Sequence, residues 1–86
     1  MSYIVCLFDV LDSNANVFRK KDHDDVLEPI GTIDVIKAGA SLVDIAQTYS
    51  ANKIHVIGPE DYLSPIVEDI MVLNFKRNNN IEVEVN

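Results

Sequence analysis

Residues 3–10, YIVCLFDV, form an almost unbroken apolar run rich in branched and aromatic side chains. Such a run is expected of a strand covered on both faces, so it predicts the central strand of a sheet. Directly after it, residues 11–16 (LDSNAN) supply Asp, Ser and Asn side chains that bond to nearby backbone and tolerate left-handed conformations, which predicts a chain reversal. Residues 17–20 then read as the short second strand of a hairpin. Residues 21–28 are the most polar of the chain, and Pro29 ends them. Residues 30–37 have strand composition, interrupted by Gly31 and Asp34.

Further along, residues 38–41 (AGAS) break the third strand. Ser41 is a suitable N-cap for a helix whose apolar residues Leu42, Ile45, Ala46 and Tyr49 repeat at helical spacing, with Asp44 in its first turn; it should stop near residues 51–52. Residues 53–58 (KIHVIG) form another short apolar strand, closed by Pro59. A second helix has two possible starts: Pro59 as its first residue, or Ser64 as cap with Pro65 following. Residues 59–63 are expected to form a turn that leads into it or merges with it. Leu63, Ile66, Val67, Ile70 and either Leu73 or Asn74 make up its inner face, and Lys76 and Arg77 suit its C-terminal end. Residues 78–80 (NNN) read as a turn, and residues 81–85 (IEVEV) alternate strictly, as befits an edge strand with one buried face.

The resulting order is β-β-β-α-β-α-β. Right-handed crossovers make the last two strands parallel neighbours, and the first three form an antiparallel meander. A five-stranded mixed α/β sheet in the order 3-2-1-4-5, with two main helices, satisfies these constraints. This succession resembles the ribonuclease-H-like superfamily, which includes ribonuclease H, Holliday-junction resolvases, integrases and actin-like ATPases. The resemblance rests on element order and burial pattern across nearly the whole chain, without a sequence motif.

Composition narrows the function classes. Fourteen acidic residues against seven basic ones give a net charge of −7 in a chain of 86 residues that is 48% hydrophobic. That apolar fraction excludes a disordered acidic tail, and the length predicts one domain, residues 1–86. The sole cysteine, Cys6, has no internal disulfide partner and reads as a small buried hydrophobe in a reducing compartment. Neither a secretory signal nor an apolar run of ~18 residues is present, so a cytoplasmic protein that does not engage membrane is expected. The charge opposes direct nucleic-acid binding, because Arg19, Lys20 and Lys21 are followed at once by Asp22, Asp24 and Asp25. Ile and Asn together contribute 18 residues, a codon signature of AT-rich genomes that suits an accessory protein of a phage or mobile element.

The ribonuclease-H-like resemblance implies a pair of magnesium ions held by acidic residues, for which Asp9 in the first strand and Glu60 or Asp61 after the fourth stand in suitable places. The further acid near the C-terminal end that such a site needs has no counterpart beyond residue 85. The nucleotide-binding members use glycine-rich loops, and residues 11–16 contain no glycine. Asp22, His23, Asp24 and Asp25 carry metal-binding side chains but lack the glycine of a calcium loop and the Cys or His number of a zinc site. His55 is expected opposite Ile54 and Val56, as a structural histidine.

The sequence therefore predicts a small acidic module without catalytic activity, cofactor or metal, whose partner is another protein or a second copy of itself. Edge strands 81–85 and 30–37 offer themselves for pairing, and the acidic residues Asp22, Asp24, Asp25 and Glu28 form the expected contact site. Two alternatives stand beside it: a metal-dependent nuclease built on Asp9 with Glu60 or Asp61, and an acidic mimic of nucleic acid that occupies a basic partner.

Overall fold

The computed structural model describes residues 2–9, 11–21 and 26–86. Five strands, β1 (Ser2–Leu7), β2 (Asn14–Lys21), β3 (Glu28–Asp34), β4 (Lys53–Ile57) and β5 (Glu82–Val85), form one mixed sheet in the order β3-β2-β1-β4-β5. Helix α1 (Ala38–Thr48) joins β3 to β4, and α2 (Glu60–Arg77) joins β4 to β5. The pairs β1–β2 and β2–β3 are antiparallel, while β1–β4 and β4–β5 are parallel. The apolar strand is central and the alternating strand lies at an edge, as the sequence predicts.

Both crossovers advance across the sheet in the same direction, and right-handed crossovers of that kind place their helices on one face. The molecule accordingly has two layers and a thinnest dimension of 19 Å. On the helix side, Ile4, Cys6, Val17, Ile54 and Val56 pack with Leu42, Val43, Ala46, Leu63, Ile66 and Ile70 in one core. Strand β1 is buried on both faces, as expected. On the second face Val5 is only 4% exposed because neighbouring side chains crowd it, its cross-strand partners being Phe18 on β2 and His55 on β4. Nearby, Lys20 and Lys53 each place an ammonium 5.5 Å from the Tyr3 ring, and Lys53 pairs with Glu84 at 2.9 Å.

Local chemistry shifts several element boundaries. The reversal after β1 is tighter than expected because two carboxylates build it: the amide of Leu11 donates to Asp9 Oδ1 at 3.0 Å, and the amide of Asn14 to Asp12 Oδ1 at 3.1 Å. That lets β2 start at Asn14 and turn Ala15 into the core. Between β2 and β3 the register shifts at Val17/Phe18, a bulge that adds Ile30 to the β3 side beside Gly31, whose φ is 154°.

Strand β3 ends at Asp34, three residues early, because its carboxylate accepts the amide of Ile36 at 2.9 Å and starts a 3-10 turn, Val35–Lys37. Helix α1 continues from that turn, so Ser41 lies inside it and is not its cap. Gly39 is where α1 approaches α2 closely: a Cβ added to it would stand 2.6 Å from Asp69 Cβ. Helix α1 also stops at Thr48, ahead of the expected residues 51–52.

Helix α2 begins at Glu60, with Pro59 extended at its N-cap, so the expected turn merges with the helix from residue 60 onwards. The amides of Tyr62 and Leu63 bond the Pro59 carbonyl at 3.0 and 3.1 Å, and burial of Leu63 anchors this first turn. Pro65 consequently sits inside the helix, where it gives the Asp61 carbonyl no amide; Ser64 Oγ donates to the Glu60 carbonyl at 3.2 Å. At the far end Arg77 Nη1 reaches Asp44 Oδ1 at 2.7 Å and Gln47 Oε1 at 2.9 Å, and Asn74 Nδ2 donates to the Ile81 carbonyl at 2.8 Å. Those bonds tie α2 to α1 and to the last strand.

Candidate functional site

Of the four acidic residues expected to form a contact site, Asp22, Asp24 and Asp25 lie outside the described residues. Glu28 opens β3, where its register partner is Arg19 of β2. The two form an ion pair at 2.9 Å, and the Arg19 guanidinium also lies 5.2 Å from the Tyr49 ring. Glu28 thus has an intramolecular task, fastening the β2–β3 ribbon beside the end of α1.

Asp9 follows the C-terminal end of β1, and Glu60 and Asp61 follow that of β4, so the topology brings all three to the same end of the sheet. Each has a local role there. The Asp9 carboxylate holds the Leu11 amide, while Glu60 and Asp61 occupy the first turn of α2, where negative charge offsets the exposed amides of the helix start. Among the described residues no group of three or more His, Cys, Asp or Glu side chains is placed to hold a metal ion.

The remaining reactive side-chain types are absorbed by the sheet. Cys6 is fully buried, and burial pushes its thiol up to about 12, which keeps it protonated and unreactive at neutral pH. His55 faces away from Ile54 and Val56, as expected, between Val5 of β1 and Glu84 of β5. The hydrogen bond from the Lys53 ammonium holds the Glu84 carboxyl below its ordinary range, with His55 adding to the effect, and Glu84 in turn raises Lys53.

The surface that lacks an internal task lies elsewhere. On the outer side of α2, Met71 is 61%, Val72 51% and Phe75 89% exposed, and across a groove Ile36 of the 3-10 turn is 88% exposed. Met71 and Phe75 are four residues apart and Val72 and Phe75 three apart, so the three side chains adjoin on one ridge. Clefts flank that ridge on both sides. One, of about 370 Å³, is lined by Ile36, Lys37, Ala40, Asp69, Val72 and Leu73. The other, of about 320 Å³, lies towards the sheet edge between Val67, Met71, Asn74, Ile81 and Val83.

Sequence reasoning missed this ridge although its signal is plain: seven of residues 66–75 are apolar, more than an inner face can use. Scattered exposed hydrophobics are ordinary, but large ones grouped around a groove mark contact surfaces. No described helix is long and apolar enough to cross a membrane. No protein-family model matches the chain, and no curated protein sequence matches it.

Proposed function

We propose that this chain is a small, non-catalytic interaction module that binds another protein through the outer ridge of α2 and the adjoining Ile36. The observation that carries the reading is the exposure of Met71, Val72, Phe75 and Ile36 around one cleft, on a helix whose core contacts are already supplied by Leu63, Ile66 and Ile70. Covering four side chains of this size yields on the order of 5 kcal/mol. Association costs a comparable amount in lost freedom, so a partner must also match the charges that border the ridge. Those charges are Glu68 and Asp69 on one side and Lys76 on the other.

The test is a photoreactive residue placed at position 75 in the chain's native cells. A discrete protein adduct that disappears when Val72→Glu or Met71→Glu is added supports the reading. An adduct indifferent to both substitutions, or none from a chain whose circular dichroism is unchanged, overturns it.

A further inference from the structure

We infer that the occupant of this ridge is a second copy of the chain, paired antiparallel through α2 about a two-fold axis at Val72. The inference rests on the reading of α2 as a contact surface and supplies the partner. Residues four apart lie on one ridge of a helix, so Glu68, Val72 and Lys76 form a single exposed row: acid, apolar, base. Read in one direction that row is asymmetric; laid against its own reverse it is complementary. A two-fold axis at Val72 sets Val72 against Val72 and puts each Lys76 opposite the Glu68 of the other copy, and a symmetric dimer requires a patch that complements itself in this way. The antiparallel arrangement also opposes the dipoles of the two helices.

Shape follows the same symmetry. At about 100° per residue Phe75 and Met71 lie on one flank of Val72 and Asp69 and Leu73 on the other; a two-fold axis sets each flank against the same flank of the second copy, so Phe75 arrives beside Met71 and Glu68 of that copy. Phe75 is 89% and Met71 61% exposed, and the pairing covers both. Two symmetric contacts between Phe75 and Met71 result, one on each side of the axis. A parallel pairing would instead align Glu68 with Glu68 and Lys76 with Lys76.

Sedimentation equilibrium of the purified chain at concentrations up to about 100 µM tests this directly, since a two-fold pair of this size belongs to the micromolar range. The expected mass is twice 9.6 kDa. Phe75→Ala should weaken pairing at least about tenfold, as loss of a central aromatic anchor does. Lys76→Glu and Glu68→Lys should each weaken it roughly three- to tenfold, and the double exchange Glu68→Lys with Lys76→Glu should restore it to within about twofold, because the exposed pairs are reversed without loss. All three positions are exposed, and circular dichroism checks that each variant is folded. A monomer throughout that range overturns the self-pairing, as does a dimer that Phe75→Ala leaves intact or that the double exchange fails to restore. The photoreactive residue at position 75 separates the two readings: an adduct to a different protein refutes the self-pairing and keeps the interaction module, whereas loss of every specific adduct refutes both.

Discussion

Helices α1 and α2 make the same kind of connection, lie on the same face of the sheet and touch each other, yet they use their apolar residues differently. Of the eleven residues of α1, five are buried: Ala38, Gly39, Leu42, Val43 and Ala46. Its outward positions include Asp44, Gln47 and Thr48, all polar. Of the eighteen residues of α2 only Leu63, Ile66 and Ile70 are buried, while Met71, Val72 and Phe75 face out. Position in the sheet explains the division. Helix α1 packs over the central strands β1 and β4 as well as β3, whereas α2 meets the four-residue edge strand β5 and the flank of α1. A helix over the centre needs one broad apolar face and nothing more; a helix at the edge that is apolar beyond its inner face carries hydrophobic surface that the fold does not consume.

The sharpest way to break that contrast is to cut both sides of α2. Ile70→Ala removes a fully buried side chain and should cost about 2–5 kcal/mol in urea denaturation, through lost transfer energy and the cavity left behind. Phe75→Ala, measured at low micromolar concentration where pairing contributes little, should stay within about 0.5 kcal/mol of the parent. A cost above ~2 kcal/mol at Phe75 would make the outer ridge part of the folding core, and the distinction between the two helices would fall.

Below the helix layer, Cys6 reports whether that layer excludes water from β1. Its thiol titrates near its ordinary value of 9.0 when the chain unfolds but is pushed up to about 12 in the folded protein. The unfolded chain therefore loses its proton first as the pH rises. The contribution from this group is fully present below about pH 9 and is lost towards pH 12, at ~1.4 kcal/mol per unit. Denaturation of the parent and of Cys6→Ala between about pH 8 and 11 should show the parent falling more steeply by that slope; equal slopes would mean that water reaches β1. Where α1 crosses α2 the limit is steric. Gly39→Ala places a methyl group 2.6 Å from Asp69 Cβ, so the helices must separate, at about 1–3 kcal/mol. A neutral result would show that the crossing is loose and that α2 is held mainly by Arg77 and Asn74.

The strand order was legible because it follows from two strong patterns, the apolar residues 3–10 and the alternating residues 81–85, combined with the handedness of crossovers. Helix starts were less legible. Ser41 is a sound capping residue, but Asp34 caps an earlier turn, and the reason for a helix at residues 38–40 is the contact of Gly39 with α2, which no local pattern reveals. The candidate site suffered from the same limit. Glu28 reads as a loop carboxylate until the bulge at Val17/Phe18 sets the register that puts Arg19 beside it. Met71, Val72 and Phe75 were visible as apolar residues, yet a search for one inner face has no place for a second one. Recognising the outer ridge required knowing that α2 lies at the sheet edge.

The smallest effects belong to the helix ends, where the two helices converge on one solution. In α1 the amide of Ala51 bonds the Ala46 carbonyl at 2.7 Å and that of Ser50 bonds Gln47 at 3.2 Å, with Ser50 at a φ of 54°. In α2 the amide of Asn79 bonds Asn74 at 2.9 Å and that of Asn78 bonds Phe75 at 3.3 Å, again around a left-handed residue, Asn78, at a φ of 54°. Both ends thus use the left-handed C-terminal cap that glycine usually fills, and neither has a glycine. Serine meets the steric penalty of that conformation more fully than asparagine, whose side chain is tolerated there. Ser50→Gly should accordingly stabilise the chain by up to about 1 kcal/mol, less the extra freedom glycine gives the unfolded state, and Asn78→Gly by no more than a few tenths. Thermal denaturation of the two variants ranks them. If Asn78→Gly gains as much as Ser50→Gly, the shared backbone geometry sets the strain at both ends; if it gains less, asparagine has already relieved it at the end of α2 that leads into the edge strand.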